Sequence, residues 1–129
     1  MSLEIARDVH KLVLSHFIYV PDQEQFSVPE DWRDQSEDII AGNIIRGDCD
    51  DFAVCCGSIF AVRGVALDKI SLIYCTVENG GGHLVCGYEC DDTTYILDNR
   101  QRTVWDWGQL RYTWIKRRKA SEQDWRIIT

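Results

Sequence analysis

A cysteine, a histidine and an aspartate occur along this chain in an order and in local contexts that suit nucleophilic catalysis. Residues 47–53 read GDCDDFA, so Cys49 lies where a glycine turn leads into an apolar helix. His83 follows three glycines and opens an apolar strand, and Asp98 closes another strand fifteen residues later. A thiol, an imidazole and a carboxylate are the parts of a cysteine nucleophile, its general base and the group that orients the base. The sequence therefore predicts a thiol-dependent peptidase or amidase that attacks amide bonds through an acyl-thioester.

The expected position of Cys49 at the start of a helix adds to this chemistry. Backbone N–H groups of a first helical turn lack partners within the helix and carry the positive end of its dipole, so they favour thiolate over thiol. The same N–H groups can stabilise an oxyanion on an attacked carbonyl. A strand of an adjoining sheet would present His83 to the sulfur, and Asp98 would fix the tautomer of His83. Glycines at 80–82 would leave room for a bound chain.

Three carboxylates beside Cys49 oppose the effect of the helix. Asp48, Asp50 and Asp51 flank the cysteine, and like charges close to a thiol raise its pKa. Three arrangements would resolve the conflict. The acids point to solvent, or a positive group such as protonated His83 or a divalent cation lies among them, or they cap the helix and leave the sulfur alone.

Apolar periodicity predicts an α+β fold in a single domain that spans residues 1–129. Helices are expected over 4–20, over a short segment from Ser36, and over 49–63 with Gly64 as the C-cap. The β-rich runs predict an antiparallel sheet, with strands at 70–77, 83–90, 93–97 and 112–119 and a docked C-terminus at 125–128. Helices followed by a sheet place the cysteine at a helix N-terminus packed against that sheet.

Charge and composition argue against several classes of partner. The net charge is −7, and residues 1–60 hold twelve acidic against four basic side chains, which argues against nucleic acid because phosphate binding needs clustered Lys and Arg. One basic run, KRRK at 116–119, is interpreted as a solvated strand edge rather than a polyanion site. No apolar run reaches the roughly 20 residues that span a bilayer, so no membrane partner is expected. The acidic N-terminus lacks the pattern of a secretory signal, which predicts a cytoplasmic protein as written and leaves a phage or a processed exported origin open.

Six cysteines need an account of their own. There is no C-x-x-C pair and no second histidine at ligand spacing, which argues against a structural zinc site and against a redox thiol protein. The missing signal suggests a reducing compartment, so we expect free and mostly buried thiols.

The motif around Cys49 resembles the nucleophile motif of the bacterial transglutaminase-like cysteine peptidases, within the wider transglutaminase and papain-like group. GHLV at 82–85 and LDN at 97–99 are similar to the histidine and aspartate motifs of that family, in the same order. The resemblance covers roughly residues 32–125. It implies a papain-like or transglutaminase-like core, with Cys49 as nucleophile, His83 as base and Asp98 as its orienting group.

The resemblance also implies an oxyanion helper and a metal site. In transglutaminases an upstream tryptophan lends its indole N–H to the oxyanion, a role that falls here on Trp32 or on the amide of Gln35. Some members of the family are calcium-dependent proteases that release adhesins from the cell surface, and acids that flank their cysteine bind the ion. Those acids correspond to Asp48 and Asp50. The expected partner is thus a protein or peptide substrate, and no cofactor is required, with calcium as an optional ligand.

Other functions are compatible with the same residues. The triad would equally serve acyl transfer to an amine or cleavage of a peptidoglycan amide, since nothing in the sequence separates water from an amine as the acceptor. A non-catalytic module that uses the acidic face to bind a metal or a basic partner is a second class. Candidates for all three catalytic roles argue against that class.

Overall fold

The computed structural model of the protein describes residues 3–20 and 34–128. Within these ranges the chain forms three α-helices and eight β-strands. The helices are α1 (Leu3–Ser15), α2 (Ser36–Ile40) and α3 (Cys49–Val62), and the strands are β1 (Phe17–Tyr19), β2 (Ile45–Gly47), β3 (Ile70–Thr76), β4 (Gly82–Cys90), β5 (Thr93–Leu97), β6 (Trp105–Asp106), β7 (Thr113–Lys119) and β8 (Arg126–Ile127). Helices precede the main sheet along the chain, and the predicted α+β fold class is confirmed.

Helix α3 begins with the candidate nucleophile. Asp48 is its N-cap, because the Asp48 side chain accepts hydrogen bonds from the backbone N–H groups of Asp50 and Asp51. The side chain of Asp51 accepts in return from the backbone N–H of Asp48, which completes a capping box. Gly64, with a φ of +89°, follows the C-cap Arg63 in the left-handed conformation that ends many helices. The predicted helix and its glycine stop are confirmed.

Six antiparallel strands form the main sheet in the order β6-β5-β4-β3-β7-β8. β4 and β5 form a hairpin that turns through Asp91 and Asp92, whose φ angles of 54° and 65° are typical of a two-residue type I′ turn. His83 lies near the start of β4, and Asp98 directly follows Leu97 at the end of β5. Since the two strands run in opposite directions, their far ends meet at one end of the sheet. The hairpin therefore brings His83 and Asp98 together.

Both faces of the sheet are covered. On one face, Phe60 of α3 stacks on Tyr88 of β4 with ring centroids 4.9 Å apart, and both side chains are fully buried. Such an aromatic pair adds about 0.5–1.5 kcal/mol beyond the burial of its surface. On the opposite face three aliphatic residues are buried: Ile73, Val85 and Ile96. Partly buried neighbours pack against them: Trp107, Leu110, Trp114 and Ile128. Packing from both sides fixes β4, the strand that carries His83.

The first predicted helix is too long by five residues. α1 ends at Ser15, and Phe17–Tyr19 forms β1, which pairs in parallel with β2. The helix ends because the N–H of His16 bonds to Val13 in a tightened last turn, while the His16 ring bonds to the carbonyl of Leu12. Aromatic and β-branched residues then find strand partners in β2, and this long-range pairing overrides the helical period of the sequence.

The basic run at 116–119 forms a strand as predicted, but it is a sheet edge only in part, because β8 pairs with Lys116 and Arg117. β7 lies between β3 and β8, and its basic side chains are half-buried. Arg117 Nη1 lies 3.4 Å from Glu89 Oε2, and the ammonium of Lys116 lies 5.0 Å from the centre of the Trp125 ring. These cations can be half-buried on an inner strand of the sheet because carboxylates and aromatic faces lie beside them.

All six cysteines are free, as predicted; Cys49 is partly exposed and the other five are buried. In the part of the chain that the structure describes, no helix has the length and apolar character needed to cross a membrane.

A half-buried glycine of α3 and a buried glycine of β4 predict opposite effects of an added methyl group. A Cβ at Gly57, within α3, would meet Ile70 at 3.6 Å, an ordinary contact, so Gly57→Ala should raise the free energy of unfolding by about 0.5–1 kcal/mol. A Cβ at Gly87, within β4, would lie 2.6 Å from Ser71 Oγ, so Gly87→Ala should lower that free energy by about 1–3 kcal/mol. Urea unfolding followed by tryptophan fluorescence measures both. Equal effects of the two variants would contradict this account of the sheet.

Candidate active site

The side chains of His83 and Asp98 meet at the end of the β4–β5 hairpin. His83 Nε2 lies 2.7 Å from Asp98 Oδ1, and both side chains are buried. An ionised carboxylate only accepts hydrogen bonds, so Nε2 is the nitrogen that donates, and Nδ1 is left as the basic nitrogen of the ring. The structure thus brings together the residues predicted as base and orienting group.

The sulfur of Cys49 lies beside the same part of β4. Its neighbour there is the backbone N–H of Leu84, which hydrogen-bonds to the sulfur. Leu84 directly follows His83, so the candidate nucleophile contacts the strand that carries the candidate base. The cap at Asp48 holds the sulfur in this place, because it fixes the first turn of α3.

The thiol of Cys49 donates a hydrogen bond to a neighbouring carboxylate. Cys49 Sγ lies 3.5 Å from Asp50 Oδ1. Within residues 3–20 and 34–128, no hydrogen bond joins Sγ to the His83 ring. The direct contact between nucleophile and base stays a prediction, and hydrogen bonds between such groups often tighten only when substrate is bound.

Burial, together with the charges of Asp50 and Asp48, raises the pKa of Cys49 to about 12. The Leu84 amide acts in the opposite direction and lowers this pKa. Of the arrangements that would reconcile the acids with the cysteine, capping describes Asp48 and Asp51, but Asp50 faces the sulfur. The resting side chain is therefore a thiol, and the expected advantage of the helix terminus is outweighed by burial and like charge.

Asp98 is the most enclosed charged group of the site, with none of its side chain exposed. Besides the His83 bond, Oδ1 accepts from the backbone N–H of Arg100 at 2.9 Å, and Oδ2 accepts from the hydroxyl of Tyr112 at 2.5 Å. Burial would raise the pKa of Asp98, but the bonds from His83, Tyr112 and Arg100 hold that pKa below its usual value. Because the folded pKa is depressed, ionised Asp98 stabilises the fold at neutral pH, and this contribution is lost as the pH falls through the folded pKa.

Three contacts of Asp98 escaped the sequence-based prediction. Tyr112 lies in the loop before β7, Arg100 lies two residues beyond Asp98, and His10 lies in α1. His10 Nε2 lies 2.9 Å from the backbone carbonyl of Asp98, and burial lowers the pKa of His10. A histidine on the apolar face of an amphipathic helix is the only signal that the sequence carries for this contact.

The two oxyanion candidates have different outcomes. Trp32 lies outside the described residues. Gln35 precedes α2, and its backbone hydrogen-bonds to the thiol of Cys55, six residues beyond Cys49 in α3. The role of either residue at an oxyanion stays a prediction.

Asp48 and Asp50 offer the type of ligand atom that calcium prefers, but they offer too few of them. Their carboxylate oxygens are hard donors, yet Asp48 Oδ1 already accepts from two backbone amides, and calcium takes about six to eight oxygen ligands. Within the two described ranges, no three His, Cys, Asp or Glu side chains are grouped so that they could hold a metal ion.

Taken together, the fold and the residues gathered at this end of the sheet suit a cysteine hydrolase. The family model described as bacterial transglutaminase-like cysteine proteinase (BTLCP) matches residues 2–129, and the chain belongs to this family. The protein is thus a transglutaminase-like cysteine protease, and its substrate is a protein.

Solved structures of LapG from Legionella pneumophila share the fold. The EGTA-treated form has a TM-score of 0.77 at 19% identity, over 99% of this chain and 68% of that one. A further LapG structure has a TM-score of 0.72 at 19% identity and covers 98% of this chain and 69% of that one. The calcium-bound form has a TM-score of 0.72 at 19% identity, and the match covers 95% of this chain and 68% of that one. Among curated proteins, no sequence matches the chain.

The charge of Asp50 can be tested through the reactivity of the neighbouring sulfur. Asp50→Asn removes a like charge, so the pKa of Cys49 should fall and alkylation by iodoacetamide between pH 7 and 9 should be about threefold to tenfold faster. Peptide mapping by mass spectrometry assigns the labelled cysteine. Asp68→Asn, at an exposed position in the turn before β3, is the matched control. An unchanged or slower rate at Cys49 in Asp50→Asn would show that the sulfur does not sense this carboxylate.

Proposed function

We propose that Cys49, His83 and Asp98 form the catalytic triad and cleave an amide bond of a protein substrate through an acyl-thioester. The observation that carries the proposal is the buried bond between His83 Nε2 and Asp98 Oδ1, 2.7 Å long, on the strand whose Leu84 amide contacts the Cys49 sulfur. It supplies a base whose tautomer is fixed, next to the residue with the nucleophile.

The first step of the proposed mechanism is proton transfer. The resting sulfur is a thiol that donates to Asp50, so Sγ–H turns toward His83 Nδ1 when substrate binds and gives up its proton there. Sγ then attacks the carbonyl carbon, and a C–S bond forms as the carbonyl oxygen takes the negative charge. Ionised Asp98 stabilises the imidazolium that this transfer creates, because its Oδ1 bonds to the opposite ring nitrogen.

Stabilisation of the oxyanion falls to the first turn of α3. The cap at Asp48 occupies the N–H groups of Asp50 and Asp51. The cap does not use the backbone N–H of Cys49, which is also in the first turn of the helix. When the sulfur attacks a carbonyl carbon, this N–H is close enough to donate a hydrogen bond to the oxyanion. The amide of Gln35 or the indole of Trp32 would supply a second donor.

Collapse of the tetrahedral intermediate breaks the C–N bond. His83 returns its proton to the leaving amine, and the acyl group remains on Sγ as a thioester. A water molecule then loses a proton to His83 and attacks the thioester. The C–S bond breaks, and His83 returns the proton to Sγ, which regenerates the thiol and the neutral base. An amine in place of water would give acyl transfer, and a peptidoglycan amide in place of a peptide would give an amidase.

Calcium belongs to the proposal as an optional ligand of Asp48 and Asp50. LapG has a calcium-bound structure with the same fold, and in this chain the two acids flank Cys49 in the sequence. A bound divalent cation would supply positive charge that offsets these carboxylates. No step of the mechanism above depends on it.

Casein digestion tests the triad. We expect wild type to cleave casein, and Cys49→Ala and His83→Ala to lose activity by at least about a thousandfold, because nucleophile and base act as a unit. Cys90→Ala, which removes a buried thiol outside the site, is the matched control and should stay active. Acid-quenched samples analysed by mass spectrometry should carry an acyl adduct on Cys49. Casein cleavage that survives in purified Cys49→Ala would refute the triad.

The acceptor is decided in the same assay. Cadaverine is added to the casein digestion as a competing amine. If the new C-termini of the products are free acids, water is the acceptor; if they carry cadaverine, the amine is the acceptor. Hydrolysis is the outcome we expect for a member of a proteinase family.

A calcium titration tests the metal ligand. Calcium should raise the melting temperature of wild type by a few degrees (about 2–4 °C per kcal/mol of binding energy) and should leave Asp50→Asn unchanged. Asp68→Asn is the charge-matched control. If calcium does not shift the melting temperature of wild type, the ion is not a ligand of this protein.

A further inference from the structure

The second oxygen of Asp98 has a partner of its own. Oδ1 is shared by His83 and by the Arg100 amide, whereas Oδ2 accepts the hydroxyl of Tyr112 at 2.5 Å. The carboxylate is fully buried, so water does not compete for these oxygens. Tyr112 is itself 7% exposed, and its bond to Asp98 is therefore a contact of the protein interior.

The hydroxyl of Tyr112 is oriented by two further side chains. It has one proton, which it donates to Asp98, and it accepts from Arg100 Nη1 at 3.0 Å and from Gln101 Nε2 at 3.3 Å. Arg100 is held in turn by Glu78, with Nη1 3.2 Å from Oε1. Because Arg100 and Gln101 donate to the lone pairs of the Tyr112 oxygen, the hydroxyl proton can point only toward Asp98 Oδ2. Burial and the charge of Asp98 raise the pKa of Tyr112 to about 12, so it remains a donor at neutral pH.

The ring of Tyr112 also borders the imidazole. The rings of Tyr112 and His83 meet edge to face, with centroids 5.8 Å apart and planes at 86°. Trp114 also packs against Tyr112, with its ring centroid 5.6 Å from that of Tyr112. A ring held in this way limits rotation of the imidazole about its own bonds.

We propose that Tyr112 is a positioning residue of the triad: its hydroxyl fixes Asp98 so that Oδ1 faces His83, and its ring fixes the plane of the imidazole. This inference rests on the proposed function of Cys49, His83 and Asp98. It adds a fourth residue that acts through Asp98 and His83 rather than on the substrate.

Loss of the hydroxyl changes the charge balance of the pair. Without this donor, fewer hydrogen bonds share the negative charge of Asp98, so the carboxylate attracts positive charge beside it more strongly. The low-pH limb of casein cleavage should therefore move upward.

Other titratable and charged groups face this pair from the elements around it, and Tyr112→Phe changes none of them: His10 of α1, Cys49, Asp50 and Cys56 of α3, Cys75 of β3, Glu78 after β3, and Arg100 after β5. Each of these side chains is retained in Tyr112→Phe, so a shift of the profile reports the missing hydroxyl.

The experiment measures the rate of casein cleavage from pH 4 to pH 9. In Tyr112→Phe the low-pH inflection of this profile should move upward by about half to one pH unit, and the plateau should fall about tenfold. Tyr95→Phe, a half-buried tyrosine of β5 away from Asp98, is the matched control and should keep the wild-type profile. Arg100→Gln keeps Tyr112 but removes one of its orienting donors, and should shift the inflection in the same direction by a smaller amount.

The outcomes separate this inference from the proposed function. Identical inflections in wild type, Tyr112→Phe and Arg100→Gln would overturn the role of Tyr112, even if Cys49→Ala is inactive. If Cys49→Ala still cleaves casein, the triad fails instead. Should Tyr112→Phe not fold, as judged by its melting temperature, the profile of Arg100→Gln decides: an unshifted inflection overturns the inference.

Discussion

The site depends on one buried negative charge. Asp98 has no exposed surface, and its ionised form persists because three donors reach its two oxygens: the His83 ring, the Tyr112 hydroxyl and the Arg100 amide. Removing a single donor from such a group leaves an unsatisfied charge in the interior, which is far more costly than losing an exposed hydrogen bond. The hairpin of β4 and β5, the loop before β7 and the chain after β5 must therefore all be in place together. The same constraint fixes the tautomer of His83.

The nucleophile is controlled by a different set of forces. A capping box fixes the first turn of α3, and the Leu84 amide contacts the sulfur, but burial and the adjacent Asp50 keep Cys49 protonated at rest. This differs from cysteine enzymes in which a helix terminus and a neighbouring cation lower the thiol pKa. In the proposed mechanism, activation therefore comes from proton transfer to His83 during the reaction. A protonated resting sulfur also reacts slowly with electrophiles other than a bound substrate.

Much of this arrangement could be predicted from the sequence because it is encoded locally. The strands that carry His83 and Asp98 follow from alternating apolar residues, and the helix after Cys49 follows from an apolar stripe between a glycine turn and Gly64. Long-range contacts were not predictable in this way. Tyr112 lies in a loop without periodicity, and β1 pairs with a strand far along the chain, although Phe17 also fits the helical period of α1. Roles of Asp48, Asp50, Trp32 and Gln35 rest on family resemblance, because their local sequence does not distinguish a ligand from a cap or a rim residue.

One contact joins the first helix to the residue that carries the buried carboxylate. The imidazole of His10 in α1 bonds to the backbone carbonyl of Asp98, 88 residues further along the chain. Closing so long a loop is costly in entropy, so this contact depends on the packing of the folded chain. An unfolded chain lacks both this contact and the donors that hold the carboxylate. The proposed triad is therefore complete only in the finished tertiary structure.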